Sequence, residues 1–404
     1  MPAPNWANQT VWTGDNLPIM RGMNSASVDL IYLDPPFNSK ANYAAPIGSK
    51  AAGAAFKDTW TLTDVDAEWI NLIEAKHPAL YRVLLAAMSD SDKSYLAYMA
   101  VRLLEMRRLL KPTGSIYLHC DPTMSHYLKL VMDAIFGRRN LINEVVWYYR
   151  GAGTPKTAFA RRHDVLLWYA FKSGQHYFDA DPVRQPYAET TKDRFSHYIG
   201  NVRQGSDYGP QTLNPLGKHP DDVITTIQPI APSAKARLGY PTQKPVELLH
   251  HLIDSSCPDD DGVLLDPFCG CATACIAAEQ RQRQWVGIDI SAKAAELVAL
   301  RFVDEIGRVT YDGAHRTDIP KRTDLGKLPP YNCQANRQSL YGLQAGNCGG
   351  CGEHFGMRHF EVDHIIARKK GGTDHLENLQ LLCGNCNRIK GDRGMEYLRT
   401  KLQL

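Results

Sequence analysis

The sequence has no run of 18 apolar residues, so no membrane-spanning helix is expected. Its first residues, Met1-Pro2-Ala3-Pro4-Asn5, lack the basic-then-apolar order of a secretory leader. A dominant charge is missing too: 46 Lys and Arg stand against 43 Asp and Glu, a net of +3. No overall field therefore draws the chain to a polyanion, and contact with nucleic acid has to come from local patches. Residues 331–404 hold ten basic and seven acidic side chains and the first 330 hold thirty-six of each, so the only net positive charge is in the tail. Cysteines are few: ten, of which six are scattered (120, 257, 269, 271, 275 and 333) and four form two C-x-x-C pairs. In a chain of 404 residues that spacing argues against a disulfide framework, and for a reducing cytoplasm and a metal site.

What is present begins with length, enough for two or three domains. Val28-Asp29-Leu30-Ile31-Tyr32-Leu33 reads as a buried strand, and Asp34-Pro35-Pro36-Phe37 ends it, because neither proline can donate to a ladder. A carboxylate, a rigid turn and an aromatic ring thus stand at the carboxyl end of a strand, where open α/β sheets bind ligands. Upstream, Thr13-Gly14-Asp15-Asn16-Leu17 is a turn in which Asp15 or Asn16 caps a helix through Gly22. Residues 38–80 are irregular, Ser94–Leu110 reads as a helix, and Ser115–Cys120, Val145–Tyr149 and Asp164–Tyr169 as strands. Between the last two lies a basic, glycine-bearing loop, Arg150 to His163, suited to tracking a phosphate backbone or to a plain solvated hairpin. Residues 176–240 are polar, aromatic and rich in Pro and Gly, the best candidate for a specificity insert.

Regular pattern returns with a helix opened by Pro245. Gly262 to Asp266, Pro267-Phe268-Cys269-Gly270 and Ala274 to Gln280 then read as strand, turn and helix, and Gln284 to Ser291 as the next strand. Asp289, at that strand's tip, has the place of an acid that takes ribose hydroxyls. Gly270 stands where a dinucleotide loop has several glycines, so the loop suits a nucleoside better than a pyrophosphate.

Asp34-Pro35-Pro36-Phe37 early, Asp266-Pro267-Phe268-Cys269-Gly270 late and an insert between them resemble the amino-methyltransferases of DNA, and the motif order resembles their β class. Tyr240-Pro241-Thr242-Gln243-Lys244-Pro245 is similar to the segment preceding that family's cofactor loop, and Gly14-Asp15-Asn16-Leu17 to the motif whose acid approaches the adenine of S-adenosylmethionine; the likeness spans residues 9–305. The resemblance implies an α/β fold, a Rossmann-like seven-stranded mixed sheet with permuted motif order. It implies catalysis by Asp34, Pro35, Pro36 and Phe37, and S-adenosylmethionine held by Asp15, Thr242, Lys244, Asp266, Phe268, Gly270 and Asp289. Asp34 and the Pro35 carbonyl would accept the hydrogens of an exocyclic amine, and Phe37 would stack on the extruded base. Asp rather than Ser at 34 leans toward adenine N6 over cytosine N4. Ala272 stands where the family often has a second glycine, so clearance for the cofactor is expected to shrink.

In the tail, Cys348-x-x-Cys351 and Cys383-x-x-Cys386 are separated by 31 residues, a strong signal for structural zinc. With Glu361-Val362-Asp363-His364-Ile365-Ile366, Gly371-Gly372 and Asn387-Arg388-Ile389-Lys390, this region resembles an HNH, or ββα-metal, nuclease. The resemblance implies His364 as general base, Asp363 and Asn387 on Mg²⁺ or a similar divalent cation, and Asn378 orienting the His-bearing loop. Asn387 stands where His is common in that family. A zinc-stapled module that binds DNA without cutting it is the other reading.

The expected organisation is a methyltransferase over 1–310 containing the insert, a linker over 311–335 and a small zinc-stapled ββα-metal domain over 336–404. Double-stranded DNA is the expected partner, in the cytoplasm; the sequence leaves monomer and homodimer open.

Overall fold

The computed structural model describes residues 3–402, apart from 39–40, 47–48, 53–54, 59–72, 75–76, 152, 197–199, 204–205, 232, 235, 308, 326–328, 371 and 373. Much of the irregular stretch 38–80, parts of the insert and Gly371 lie outside the described residues.

The β-branched, apolar segments form strands β1 (Thr10–Thr13), β2 (Val28–Leu33), β3 (Leu110–Cys120), β4 (Leu141–Tyr148), β5 (His163–Ala170), β6 (Val223–Ile224), β7 (Val263–Asp266), β8 (Gln284–Asp289) and β9 (His315–Arg316). They make one sheet in the order β6-β4-β5-β3-β2-β7-β8-β1-β9. The expected seven-stranded sheet is therefore nine-stranded, because the two-residue strands β6 and β9 extend its two edges. Every neighbouring pair is parallel except those made by β5. The carboxyl ends of β1, β2, β3, β4, β7 and β8 consequently share one edge.

Both faces of the sheet are covered, as a mostly parallel sheet requires. Ile31 and Leu33 of β2 pack into one apolar cluster, and Leu30 and Tyr32 into the other. The first cluster contains helices α1 (Asn16–Gly22), α2 (Asp90–Leu109) and α3 (Ser125–Phe136); the second contains α4 (Val246–Ser256), α5 (Thr273–Gln280) and α6 (Lys293–Arg301). α2 starts four residues before the expected Ser94, because Ser89 caps it: its hydroxyl accepts from Asp92 N at 3.1 Å. Asp29, buried within β2, is compensated by Lys111 at 2.6 Å and by the Val263 N–H at 2.9 Å.

The segment 311–335 is only partly a linker. β9 pairs with β1, the Tyr311 ring lies 4.8 Å from Phe302, Asn24 is bonded to Thr323, and Asp324 accepts from Ser25 N at 2.9 Å. The large body thus runs to residue 324, since these contacts supply edge pairing and packing that the first 310 residues leave open. The tail has its own apolar cluster, with Leu340, Phe360, Leu381 and Leu398. Its elements are α7 (Gln334–Leu343), an antiparallel hairpin of β10 (Phe360–His364) and β11 (Leu379–Cys383), α8 (Gly384–Lys390) and α9 (Met395–Leu402). No helix of the described residues is long and apolar enough to cross a membrane.

Candidate active site

β2 and β7 are neighbours in the sheet, with Leu30 opposite Leu264 and Ile31 opposite Leu265. That register brings Asp34–Phe37 beside Asp266–Gly270 at the shared carboxyl edge. Between them opens a cavity of about 600 Å³, lined by all eleven residues that the resemblance implies for catalysis or cofactor on the large body.

Asp34 is the centre of one half. Its Oδ2 accepts from Lys244 Nζ at 2.6 Å, and Lys244 is itself buried. Its Oδ1 is also buried and has no hydrogen-bond partner among the described residues. A buried acceptor without a donor costs about 1–3 kcal/mol. The Phe37 ring stacks 6.2 Å from the His119 ring, with Lys244 Nζ 5.2 Å from its centroid.

The other half is a nucleoside-sized recess. Asp289 Oδ2 accepts from Gly270 N and its Oδ1 from Ser291 N, both at 2.8 Å, which ties the loop after β7 to the tip of β8. Burial pushes the Asp289 carboxyl above its ordinary range, against those two bonds. Burial raises Asp266 further still, with the charges of Asp34 and Asp289 adding to it. Gly270 has φ +50°, and a Cβ there would meet the Tyr240 ring at 3.0 Å, so the turn needs glycine. Ala272 adopts a left-handed φ of +58° and Thr242 one of +61°, a conformation L side chains rarely hold.

Asp15 serves as both cap and wall. Its Oδ1 accepts from Leu17 N at 3.0 Å and from Arg102 Nη2 at 2.8 Å. Arg102 also donates to Asn16 and lies 3.3 Å from the centroid of the Tyr98 ring. Arg102 and Tyr98 were not foreseen, because a charge in a helix of apolar periodicity carries no mark of its distant partner. The same holds for His119. It is fully buried at the end of β3, bonded to Tyr32 at 2.9 Å and to Asp164 at 3.1 Å. Burial alone would raise the Asp164 carboxyl, but the bond and charge of His119, with Lys244 and Tyr149, hold it below its ordinary value. Burial and the neighbouring Asp164 push the Tyr149 hydroxyl up to about 12.

In the tail, the Sγ atoms of Cys348, Cys351, Cys383 and Cys386 lie within 4.8 Å of one another. Four thiolates around a tetrahedral zinc would stand about 3.8 Å apart, given a Zn–S bond of about 2.3 Å, so the quartet fits that ion. None of the ten cysteines is bridged. Backbone N–H groups of Gly350 and Cys383 donate to Cys348 Sγ, the usual support of a thiolate ligand. The remaining expected residues fall around β10. His364 Nε2 is 2.8 Å from Asp374 Oδ1, and the Tyr331 ring is 4.6 Å from the His364 ring. Asn378 bonds both the N–H and the carbonyl of Ile366 at 3.0 Å, fixing the loop after His364. Asp363 and Asn387, expected to share a cation, have separate partners: Asp363 Oδ2 meets Lys390 at 3.0 Å and Gln380 at 2.9 Å, and Asn387 meets Glu361.

Residues 28–300 match the family profile described as DNA methylase, and residues 348–393 that described as HNH endonuclease. The type II methyltransferase M.EcaI of Enterobacter cloacae is 27% identical over 373 residues, covering 79% of this chain and 74% of that protein. M.ScaI of Streptomyces caespitosus is 32% identical over 153 residues, but the match spans only 37% of this chain and 46% of M.ScaI. A DNA modification methylase from Thermus thermophilus, solved with S-adenosyl-L-methionine, superposes with a TM-score of 0.43 at 16% identity, covering 77% of this chain and 99% of that one.

Proposed function

Since the chain belongs to the DNA methylase family and carries an HNH endonuclease domain over residues 348–393, we propose that it is a site-specific DNA methyltransferase acting on N6 of adenine. The observation that carries this reading is Asp34 lining a nucleoside-sized cavity with its buried Oδ1 unpartnered among the described residues. An exocyclic amine has its lone pair delocalised into the ring and is a weak nucleophile. With one N–H on Asp34 Oδ1 and the other on the Pro35 carbonyl, the nitrogen becomes more tetrahedral and its lone pair is aimed. S-adenosylmethionine, the methyl donor in this reading, supplies a sulfonium methyl: the N–C bond forms as the S–C bond breaks, and that bond's electrons stay on sulfur. The nitrogen's surplus proton leaves toward the Asp34 carboxylate and then to water. Proximity in the cavity supplies much of the acceleration.

Within this reading Asp289 takes the donor's ribose hydroxyls, Asp15 (braced by Arg102) faces its adenine, and Asp266, Phe268, Gly270 and Thr242 shape the recess. Phe37 stacks on the extruded base. β4 ends on the same edge of the sheet, and the basic Arg150, Lys156 and Arg161 that follow it suit contact with duplex phosphates. We place the activity in the cytoplasm, where unbridged cysteines persist.

The tail is proposed as a working nuclease module. His364, oriented by Asp374, takes a proton from water, and zinc on the cysteine quartet would tie the turn at Cys348–Cys351 to the junction of β11 with α8. Asp363 and Asn387 would hold a divalent cation only once released from Lys390 and Glu361, the partners they have in this structure.

Long-read sequencing of DNA from cells expressing the chain reads base and site together. N6-methyladenine at one short sequence is expected; N4-methylcytosine would refute the choice of base, and unmodified DNA the activity. For the tail, Mg²⁺-dependent nicking of plasmid DNA is expected from the wild type and not from His364→Ala; equal nicking by both would reject the assignment.

A further inference from the structure

We propose that Lys244 is a positioning residue for methyl transfer, acting through Asp34, and not a binding residue for the methyl donor. The proposal rests on the methyltransferase reading above. Lys244 comes from the segment before α4, 210 residues from Asp34 in sequence, yet its ammonium donates to Asp34 Oδ2 at 2.6 Å. It is 8% exposed, and a lysine so buried is tolerated only with its charge paired. The Asp side chain has a broad, roughly two-fold terminal torsion, so an unanchored carboxylate at a strand end samples several presentations. The charge-assisted bond to Oδ2 selects one of them, the one in which Oδ1 is left buried and without a donor at the cavity. The same ammonium lies 5.2 Å from the centre of the Phe37 ring, within cation–π range. One side chain therefore sets both the acceptor for the amine and the platform for the base.

Electrostatics argue against a direct role in holding the donor. A sulfonium is a cation, and a lysine beside it repels it. Asp34 and Asp289 line the same cavity and supply the opposite charge. Lys244 belongs to the amine-facing side of that arrangement.

The test is a split between kcat and donor affinity on duplex DNA carrying the sequence-mapped site. Lys244→Met keeps the length of the stem and removes the charge. Its kcat is expected to fall by about 100-fold, the scale of losing one preorganised electrostatic contact. The dissociation constant for radiolabelled S-adenosylmethionine is expected to stay within about threefold, less than 1 kcal/mol. Lys244→Arg, which keeps a charged donor, should recover most of the lost rate, and Lys244→Gln, a smaller neutral change, should repeat the Met result if Met disturbs folding. Loss of donor affinity with kcat preserved at saturation would overturn the proposal, as would an Arg variant no faster than Gln. A wild type that methylates no DNA refutes the methyltransferase reading instead, so the two failures are told apart.

Discussion

Asp266 sits fully buried at the floor of the cavity, with the Phe268 N–H at 3.1 Å as a hydrogen-bond donor to its carboxylate. Burial first, then the charges of Asp34 and Asp289, raise its carboxyl well above the ordinary value. A group whose folded value is raised contributes stability that is present below the unfolded value and lost as pH rises through the folded one. Asp266→Asn keeps the acceptor for Phe268 and cannot ionise. Its melting temperature without donor should therefore equal that of the wild type near pH 4 and exceed it increasingly toward pH 8. A gap that does not widen with pH would remove the burial argument. The residues of the cavity differ in how far local sequence reveals them. Asp34–Phe37 and Asp266–Gly270 are legible, because prolines and glycine punctuate the chain where strands must end. The bonds Lys244 to Asp34, Arg102 to Asp15 and His119 to Asp164 are not. They join positions 45 to 210 residues apart, and no local pattern encodes which charge will meet which.

At the scale of elements, the turn at Cys348–Cys351 and the junction of β11 with α8 each supply two thiols. Gly350 permits this closeness, since a Cβ there would meet Cys386 Sγ at 2.9 Å. One zinc per chain is expected by elemental analysis. Stripping it with 1,10-phenanthroline should expose residues 331–404 to protease while 3–324 stay protected, and should leave methyl transfer within about twofold, because metal binding and folding are coupled only where the ligands lie. Methyl transfer lost together with the metal would contradict this division. Cysteine spacing made the staple readable in the sequence. β6 and β9, at two residues each, are too short to show any period, which is why the sheet carries two strands more than its pattern announces. The first part of the expected linker joins the large body for the same reason: edge pairing is a property of the sheet, not of the strand that supplies it.

At the scale of the whole molecule, the beginning and the end of the large body are stitched together. β1 lies between β8 and β9, and the Asn5 side chain donates to the carbonyl of Lys321 at 2.8 Å. On the ribosome this has a cost in time. β1 emerges first but finds its neighbour β8 only when residues 284–289 have been made, and at roughly 5–20 residues per second that is a wait of tens of seconds. Through that interval the nascent chain carries an unpaired, apolar strand and an unfinished pocket, so a truncated message yields an aggregation-prone fragment and not a slower enzyme.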